Sequence, residues 1–319
     1  MRIEKGLGLV DEPLLVVENI VKRYGDKVVL EGISFKIYEG MIYSLLGPTG
    51  AGKTTLLSII AGIISPSSGK VYVNGRDPRD PRTRRYIGYC PQEPGVYEEL
   101  TGYENMLFYA RLYGINEDNA KTRIDDLLRK LGLYEHRNRK VSKYSGGMKK
   151  LLSLAITLLT DAKLFILDEP TAGMDPSARR LVWNVIMELR NIGKAIILAT
   201  HYMDEADILS DKVAIINEGK IIAEGSPEEL KLKYGPKSVI VLELHEKPHQ
   251  KIIHILKSFS ETIYVENNTV KIHAQNPDEI VPNIVTTLYS HGVSLSSLRV
   301  LKPTLEDVFL RLTGRRLKD

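Results

Sequence analysis

Short apolar runs alternate with helical patterns along the N-terminal part of the chain. The runs suited to buried strands occur at residues 14–17, 41–46, 164–167, 195–199 and 213–216. Several of these runs are separated by stretches with the apolar spacing of helices. This order predicts an α/β domain with a largely parallel central sheet.

The middle of this domain follows a different pattern, in which helices succeed one another with no strand between them. Two amphipathic stretches end in glycines, Gly114 and Gly132, and glycine is preferred just beyond the C-terminus of a helix. We therefore expect a helical subdomain, at about residues 95–160, inserted into the α/β core.

The C-terminal part of the chain starts a new pattern. Strand patterns at residues 238–244, 262–266, 269–274 and 295–301 enclose helical patterns at 249–259 and 278–290, which is the β-α-β-β-α-β order of a ferredoxin-like domain. In a last helix, Thr304 and Asp307 should form the N-terminal cap and Gly314 the stop. The sequence thus predicts two domains, residues 1–235 and 236–319, the second a small α+β accessory domain.

The composition is that of an ordinary globular protein, with 43% hydrophobic and 26% charged residues. The net charge is +4, and the basic residues are scattered apart from five arginines between residues 76 and 85, so no nucleic-acid-binding arm is indicated. A single cysteine, Cys90, fits a reducing compartment. Since no run approaches the ~18 apolar residues of a membrane span, we expect a cytoplasmic chain that reaches a membrane only through a partner.

A glycine-rich motif, G-x-x-x-x-G-K-T, lies between the predicted strand at 41–46 and the helical pattern after it. Glycines let such a loop curl so that its backbone N–H groups and the helix N-terminus face phosphate oxygens. Lys53 would then add a positive charge at the terminal phosphates, and the Thr54 hydroxyl would ligate Mg²⁺. The predicted nucleotide-binding residues are Gly47, Pro48, Thr49, Gly50, Ala51, Gly52, Lys53, Thr54 and Thr55.

Two acidic residues, Asp168 and Glu169, directly follow the apolar strand at 164–167. Ligands gather at the C-terminal ends of parallel strands. In a chain that also carries a phosphate-binding loop, we expect Asp168 to hold Mg²⁺ and Glu169 to polarise the water that attacks the γ-phosphate. The pair predicts hydrolysis of a nucleoside triphosphate.

A second phosphate site is indicated by Ser145, Gly146 and Gly147, which directly precede an apolar helical stretch. Ser145 is suited to cap the N-terminus of that helix, and the glycines leave backbone donors exposed. One chain therefore contains two candidate sites for phosphate groups.

In this order the motifs resemble those of the nucleotide-binding subunit of an ATP-binding cassette (ABC) transporter, over residues 14–230. The resemblance implies roles for four more residues. Tyr24 resembles the aromatic residue that stacks on adenine, and Gln92 the loop glutamine that contacts Mg²⁺ and the attacking water. Asp175 resembles the aspartate that signals between dimer halves, and His201 the histidine that holds the γ-phosphate.

The signature motif around Ser145 departs from the family's common form, because Tyr144 and Met148 stand where Leu and Gln are usual. The serine and both glycines are kept, so the phosphate contact should be preserved. Met148 lacks the hydrogen bonds of an amide, which removes a contact expected to reach the nucleotide sugar.

The resemblance further implies an ATPase that uses ATP and Mg²⁺ and works as a head-to-tail dimer, with residues 145–147 of one chain over the phosphate-binding loop of a second copy. ATP binding would close the dimer and hydrolysis would open it. A separate integral membrane permease would be contacted near Gln92 and residues 97–114. The chain would then lie on the inner face of the cell membrane, with no nucleic acid as a partner.

The tail at residues 236–319 resembles the C-terminal extension of ATPases that export drugs, antibiotics and polysaccharides, of the daunorubicin-resistance type. This resemblance favours an exporter. An importer ATPase is the alternative, although a sugar importer would carry a longer, mostly β tail.

The sequence argues against other classes of ABC ATPase. A DNA-repair ATPase needs a long coiled coil between Gln92 and Ser145, and a translation factor normally has two cassettes. Intact Lys53 and Glu169 oppose a non-hydrolysing subunit, and nothing in the chain indicates the cargo.

Overall fold

The computed structural model describes residues 12–260 and 262–314. Within it the chain divides into two compact units, between Pro227 and Glu228. The elements of the first unit are β1 (Leu15–Tyr24), β2 (Lys27–Ile37), β3 (Ile42–Leu46), α1 (Lys53–Ile60), β4 (Ser68–Val73), β5 (Ile87–Cys90), α2 (Gly102–Leu112), α3 (Glu117–Lys130), α4 (Gly146–Thr157), β6 (Leu164–Asp168), α5 (Pro176–Asn191), β7 (Ala195–Thr200), α6 (Met203–Leu209), β8 (Lys212–Asn217) and β9 (Lys220–Gly225).

The centre of the first unit is a six-stranded sheet in the order β5-β6-β7-β3-β8-β9. All neighbours are parallel except β8 and β9. Every residue of β3, β6 and β7 is buried, as expected for strands covered on both faces. This confirms the predicted α/β fold with a largely parallel sheet.

A separate antiparallel sheet, in the order β2-β1-β4, covers α1 and one face of the central sheet. The apolar run predicted as a strand at residues 14–17 extends into β1, so it lies in this antiparallel sheet and not in the parallel one. Leu15 pairs with Ile37 on one side and with Val73 on the other. An apolar run shows that a strand is buried but does not show which strands it pairs with.

Helices α2, α3 and α4 follow one another and pack together on the other face of the central sheet. The N-terminus of α2 has a capping box, in which Thr101 accepts from the N–H of Glu104 and the Glu104 carboxylate accepts from the N–H of Thr101. Gly114 and Gly132 follow α2 and α3 in the left-handed conformation, with φ of 72° and 68°, as the sequence predicts. No helix in the described ranges combines the length and the apolar character needed to cross a bilayer.

The second unit contains α7 (Pro227–Tyr234), β10 (Ser238–Leu244), α8 (Gln250–Leu256), β11 (Ile263–Glu266), β12 (Thr269–Ala274), α9 (Pro277–Ser290), β13 (Leu295–Leu301) and α10 (Leu305–Thr313). Its four strands form an antiparallel sheet in the order β11-β12-β10-β13, with α8 and α9 packed on it. This is the predicted ferredoxin-like arrangement. The unit also includes α7, which the sequence-based division placed in the first domain, and Arg311 of α10 donates to the carbonyl of Gly235 just after α7 (3.0 Å).

Candidate ATP site

The glycine-rich loop connects the end of β3 to the start of α1 and leaves no room for side chains at two positions. A Cβ on Gly47 would lie 2.2 Å from the carbonyl oxygen of Ile216, and one on Gly52 would lie 2.9 Å from that of Val29. Gly52 also has a φ of 102°, which disfavours any residue with a side chain. No side chain caps α1, so the backbone donors of its first turn are available to an anion.

The Lys53 side chain turns back over this loop. Its ammonium donates to the carbonyls of Gly47 (2.6 Å) and Pro48 (3.2 Å) and lies 3.4 Å from Oε1 of Glu169. Burial lowers the pKa of Lys53, and the negative charges of Glu169 and Asp168 counteract this effect. A buried positive charge therefore stands at the mouth of the loop.

Asp168 ends β6 at the edge where the glycine-rich loop begins its turn, and it is fully buried. Neither of its carboxylate oxygens makes a hydrogen bond of good geometry with any residue of the described ranges. Burial raises the pKa of Asp168, while the neighbouring Thr54 hydroxyl acts in the opposite direction. A buried carboxylate without a hydrogen bond of good geometry, next to a threonine hydroxyl, fits a site for a hard cation such as Mg²⁺.

The carboxylate of Glu169 lies between the side chains of Lys53 and His201. Besides the Lys53 contact, its Oε2 is 2.7 Å from Nδ1 of His201. The pairing of Asp168 with Ala199 in the parallel sheet brings the residues after β6 and β7 side by side. Glu169 has a φ of 50°, an unusual conformation for a residue with a side chain. Three segments that are distant in sequence therefore converge on one carboxylate.

A cavity of about 450 Å³ opens in front of these groups. Its lining includes half of the predicted residues: Pro48, Thr49, Gly50, Gly52, Lys53, Thr54, Thr55, Gln92 and Glu169. It also includes residues that sequence reasoning missed, namely Lys27, Val28 and Val29 of β2 and the turn residues Glu218 and Gly219. These carry no phosphate-binding motif, and only the packing of β2 and of the β8–β9 turn around the loop brings them to the cavity.

Other predicted residues lie outside the cavity lining. Ser145 caps α4 by accepting from the N–H of Met148 (3.2 Å), and Gly146 is exposed with open space around it. Gly147 follows as the second residue of α4. Asp175 caps α5, accepting from the N–H groups of Ser177 and Ala178.

Tyr24 is near the cavity but does not line it. It is 54% exposed at the end of β1 and pairs across the sheet with Lys27, which lines the cavity. The ammonium of Lys22 lies 4.8 Å from the centre of its ring. The ring is therefore accessible at the rim of the site.

Comparison with known proteins agrees with this fold. Residues 30–172 match the family described as ABC transporter, and residues 225–313 match the C-terminal domain of ATP-binding proteins like DrrA1-3. The linearmycin resistance ATP-binding protein LnrL of Bacillus subtilis is 34% identical over 314 residues, which cover 96% of this chain and 100% of that protein. The chain belongs to the ATP-binding proteins of ABC transporters, and it is an ATPase.

Further relatives match this chain over almost its whole length. The daunorubicin resistance ATP-binding protein DrrA3 of Streptomyces coeruleorubidus is 33% identical over 96% of this chain and 98% of its own length. The Nod factor export ATP-binding protein I of Rhizobium etli is 36% identical over 94% of this chain and 93% of its own length.

Solved structures match about two thirds of the chain. An ATP-binding subunit of an ABC transporter is 31% identical, with a TM-score of 0.65, over 70% of this chain and 93% of that chain. CbiO1 from Clostridium perfringens, part of the CbiONQ transporter complex, is also 31% identical, with a TM-score of 0.62, over 70% of this chain and 92% of its own.

Proposed function

We propose that this ATPase powers export through a separate membrane permease and that Glu169 activates the attacking water. The convergence of Lys53, Glu169 and His201 at the cavity carries this proposal. A carboxylate hydrogen-bonded beside the phosphate loop can accept a proton from water, while Lys53 offsets negative charge on the phosphates. His201 would hold the γ-phosphate and orient Glu169, and Gln92 would contact the water from the opposite loop.

The same cavity supports a Mg²⁺ site. Asp168, Thr54 and Gln92 offer the oxygen ligands that this ion prefers, and the carboxylate oxygens of Asp168 have no competing hydrogen bond of good geometry among the described residues. When bound, Mg²⁺ would neutralise charge that develops on the phosphate oxygens. The role of this chain is to hold the oxygen donors in place and to shield Asp168 from water.

We further propose that each ATP is enclosed by two copies of the chain. Ser145, Gly146 and Gly147 present an exposed helix N-terminus, yet they do not line the cavity of their own chain. An uncovered N-terminus with two glycines is suited to a phosphate supplied from a second copy. Asp175, at the start of the neighbouring helix, would lie at the same contact, and Tyr24 would stack on adenine from the rim.

The permease contact is supported by an aromatic cluster around α2. Four aromatic rings form a chain of contacts, with the centroids of contacting rings 5.0 to 6.2 Å apart. They are those of Tyr97, Phe108, Tyr109 and Tyr113. Tyr97 is 50% exposed, and Leu112, which directly precedes Tyr113 in the sequence, is 67% exposed. Contiguous exposed apolar groups mark protein interfaces. Docking here would hold the chain on the cytoplasmic face of the membrane.

The names of the relatives support a role in export. Two of them are named for drug resistance and a third for Nod factor export, and the C-terminal domain is of the kind found in the drug-resistance proteins. The cargo would be recognised by the permease, not by this chain.

The proposal is tested with Glu169→Gln in the full chain. The amide keeps the shape of the side chain but cannot accept the proton of water, so ATP should bind, remain unhydrolysed and hold two chains together. Hydrolysis is measured by phosphate release, and mass in solution by light scattering with ATP and Mg²⁺. Glu18→Gln, at an exposed position of β1, is the control and should hydrolyse ATP normally. Rapid hydrolysis by Glu169→Gln, or a monomer that binds ATP, would contradict the proposal.

A further inference from the structure

Besides Asp168 and Glu169, the first unit buries a third carboxyl group, that of Glu205 on α6, with no exposed surface. Its Oε1 accepts hydrogen bonds from the hydroxyl of Thr171 (2.8 Å) and from the indole N–H of Trp183 (2.9 Å). Its Oε2 is also enclosed and makes no hydrogen bond of good geometry within the part of the chain that the structure describes. Burying such a group is costly, so its partners must hold it firmly.

Thr171 connects Glu205 to the segment that carries Glu169. It lies two residues after Glu169 and is itself buried, with 1% of its surface exposed. The N–H of Ala172 donates to the carbonyl of Glu169 (3.2 Å) and closes a tight turn that contains Thr171. A displacement of Thr171 would therefore displace Glu169 with it.

The helix that carries Glu205, α6, begins just after His201. The N–H of Ala206 donates to the carbonyl of Tyr202 (3.2 Å), and the N–H of Tyr202 donates to the hydroxyl oxygen of Thr200 (3.0 Å), which is fully buried directly before His201. Burial raises the pKa of the Glu205 carboxyl, and nearby hydroxyl groups counteract this rise. Glu205 thus bonds to the segment that carries Glu169 and lies on the helix that directly follows His201.

Trp183 connects the same carboxyl group to α5. The side chain of Arg179, one turn earlier on α5, lies over the rings of Trp183 and Tyr202, at 5.2 and 4.6 Å from their centroids. Its guanidinium also donates to Asp204, the residue before Glu205. Glu205 is therefore anchored to a long helix on the side away from the cavity.

We propose that Glu205 is a positioning residue for ATP hydrolysis, tying the turn that carries Glu169 to the strand end that carries His201 and so fixing the distance between these two side chains. The inference depends on the roles proposed above for Glu169 and His201. A shift of about 1 Å in a catalytic group can cost roughly 100-fold in rate. Since Glu205 does not contact the phosphate loop, its loss should affect turnover and leave ATP affinity intact.

Thr171 provides the sharpest test, because two substitutions separate its hydroxyl from its bulk. Thr171→Val keeps the volume but removes the hydrogen bond to Glu205, and Thr171→Ser keeps the hydroxyl but removes a methyl group. In the full chain we expect kcat to fall about tenfold or more in Thr171→Val and to stay within about threefold of wild type in Thr171→Ser. The dissociation constant for ATP, measured by titration, should change less than about twofold in both.

Thr157→Val controls for stability. It removes a buried hydroxyl at the last residue of α4 that donates to the carbonyl of Ser153 (3.0 Å) and makes no hydrogen bond to Glu205, so it should lower the melting temperature while kcat stays within about threefold. Equal kcat values in Thr171→Val and Thr171→Ser, or a fall in kcat that follows melting temperature across all three variants, would overturn the positioning role. Glu169→Gln is assayed alongside: if it hydrolyses ATP, the proposed function fails, whereas if it is inactive and Thr171→Val is fully active, only the role of Glu205 fails.

Discussion

Both the side chain and the backbone of Glu169 are held in place by bonds to other residues. Its side chain contacts Lys53 and His201, its backbone N–H donates to the carbonyl of Ala199 (2.9 Å), and its carbonyl accepts from the N–H of Ala172. These bonds hold a φ of 50° that costs on the order of 1 kcal/mol for a residue with a side chain. Strain maintained in this way is typical of residues whose direction matters to the chemistry.

At the same scale, Lys53→Ala should abolish ATP turnover. The change removes the buried ammonium at the mouth of the loop, and loss of one such stabilising group costs at least about 100-fold in rate. Turnover is measured by phosphate release at saturating ATP. The matched control is Lys130→Ala, which loses only an exposed ion pair with Glu188, worth ~0–1 kcal/mol, and should keep normal turnover. Wild-type turnover by Lys53→Ala would refute the assignment of the phosphate loop.

Site residues could be predicted from the sequence only where a motif carries them. Lys53, Asp168 and Glu169 stand at fixed positions next to apolar strands, so their chemistry is apparent without a structure. Glu205 has no such signal, since a glutamate in a short helix is usually solvated. Its importance depends on Thr171 and Trp183, which lie far from it in the sequence and meet it only after folding.

At the scale of elements, the sequence predicts best those helix ends that are determined by neighbouring residues. Thr304 and Asp307 form the capping box of α10, and Gly314 ends it with a φ of 70°. Strand neighbours were predicted less well. Strand β2 is missing from the prediction, although apolar and polar residues alternate over its last five positions, 33–37. Its pairing with β1 includes register shifts that no local pattern encodes.

The cap of α10 gives a prediction at this scale. Thr304→Ala removes the oxygen that accepts from the N–H of Asp307 (3.2 Å), and should lower the free energy of unfolding of the second unit by about 1 kcal/mol. Thr304→Ser keeps that oxygen and should be nearly neutral. Urea denaturation followed by circular dichroism measures both variants. Equal stability of Thr304→Ala and Thr304→Ser would show that the cap contributes nothing.

At the scale of the whole molecule, the cavity residues lie between Lys27 and Gly219, all before the second unit begins. The second unit has a buried core of its own, formed by β10, β12, α8 and α9. Among its described residues, no cluster of acidic, histidine or cysteine side chains is arranged to hold a metal. We propose an accessory role for this unit, in forming the proposed dimer or in docking it on the proposed permease.

A chain ending at Pro227 tests this interpretation. Because the cavity lining is retained, its dissociation constant for ATP should stay within about tenfold of the full chain, equivalent to ~1.4 kcal/mol. Dimer formation or coupling to transport should weaken. Titration calorimetry measures affinity and light scattering the dimer fraction, with circular dichroism to verify that the shortened chain is folded. A larger loss of affinity in a folded chain would mean that the second unit shapes the ATP site.

The exposed start of α4, set apart from the cavity of its own chain, has a genetic consequence. If every working site combines the cavity of one copy with the Ser145 segment of another, Lys53→Ala and Ser145→Arg damage opposite halves of the site. Each variant alone should be inactive, but in a mixed pair one of the two sites receives both of its undamaged halves. Two defective alleles expressed together should then complement each other and restore part of the hydrolysis, whereas one chain carrying both changes should remain inactive beside either single variant.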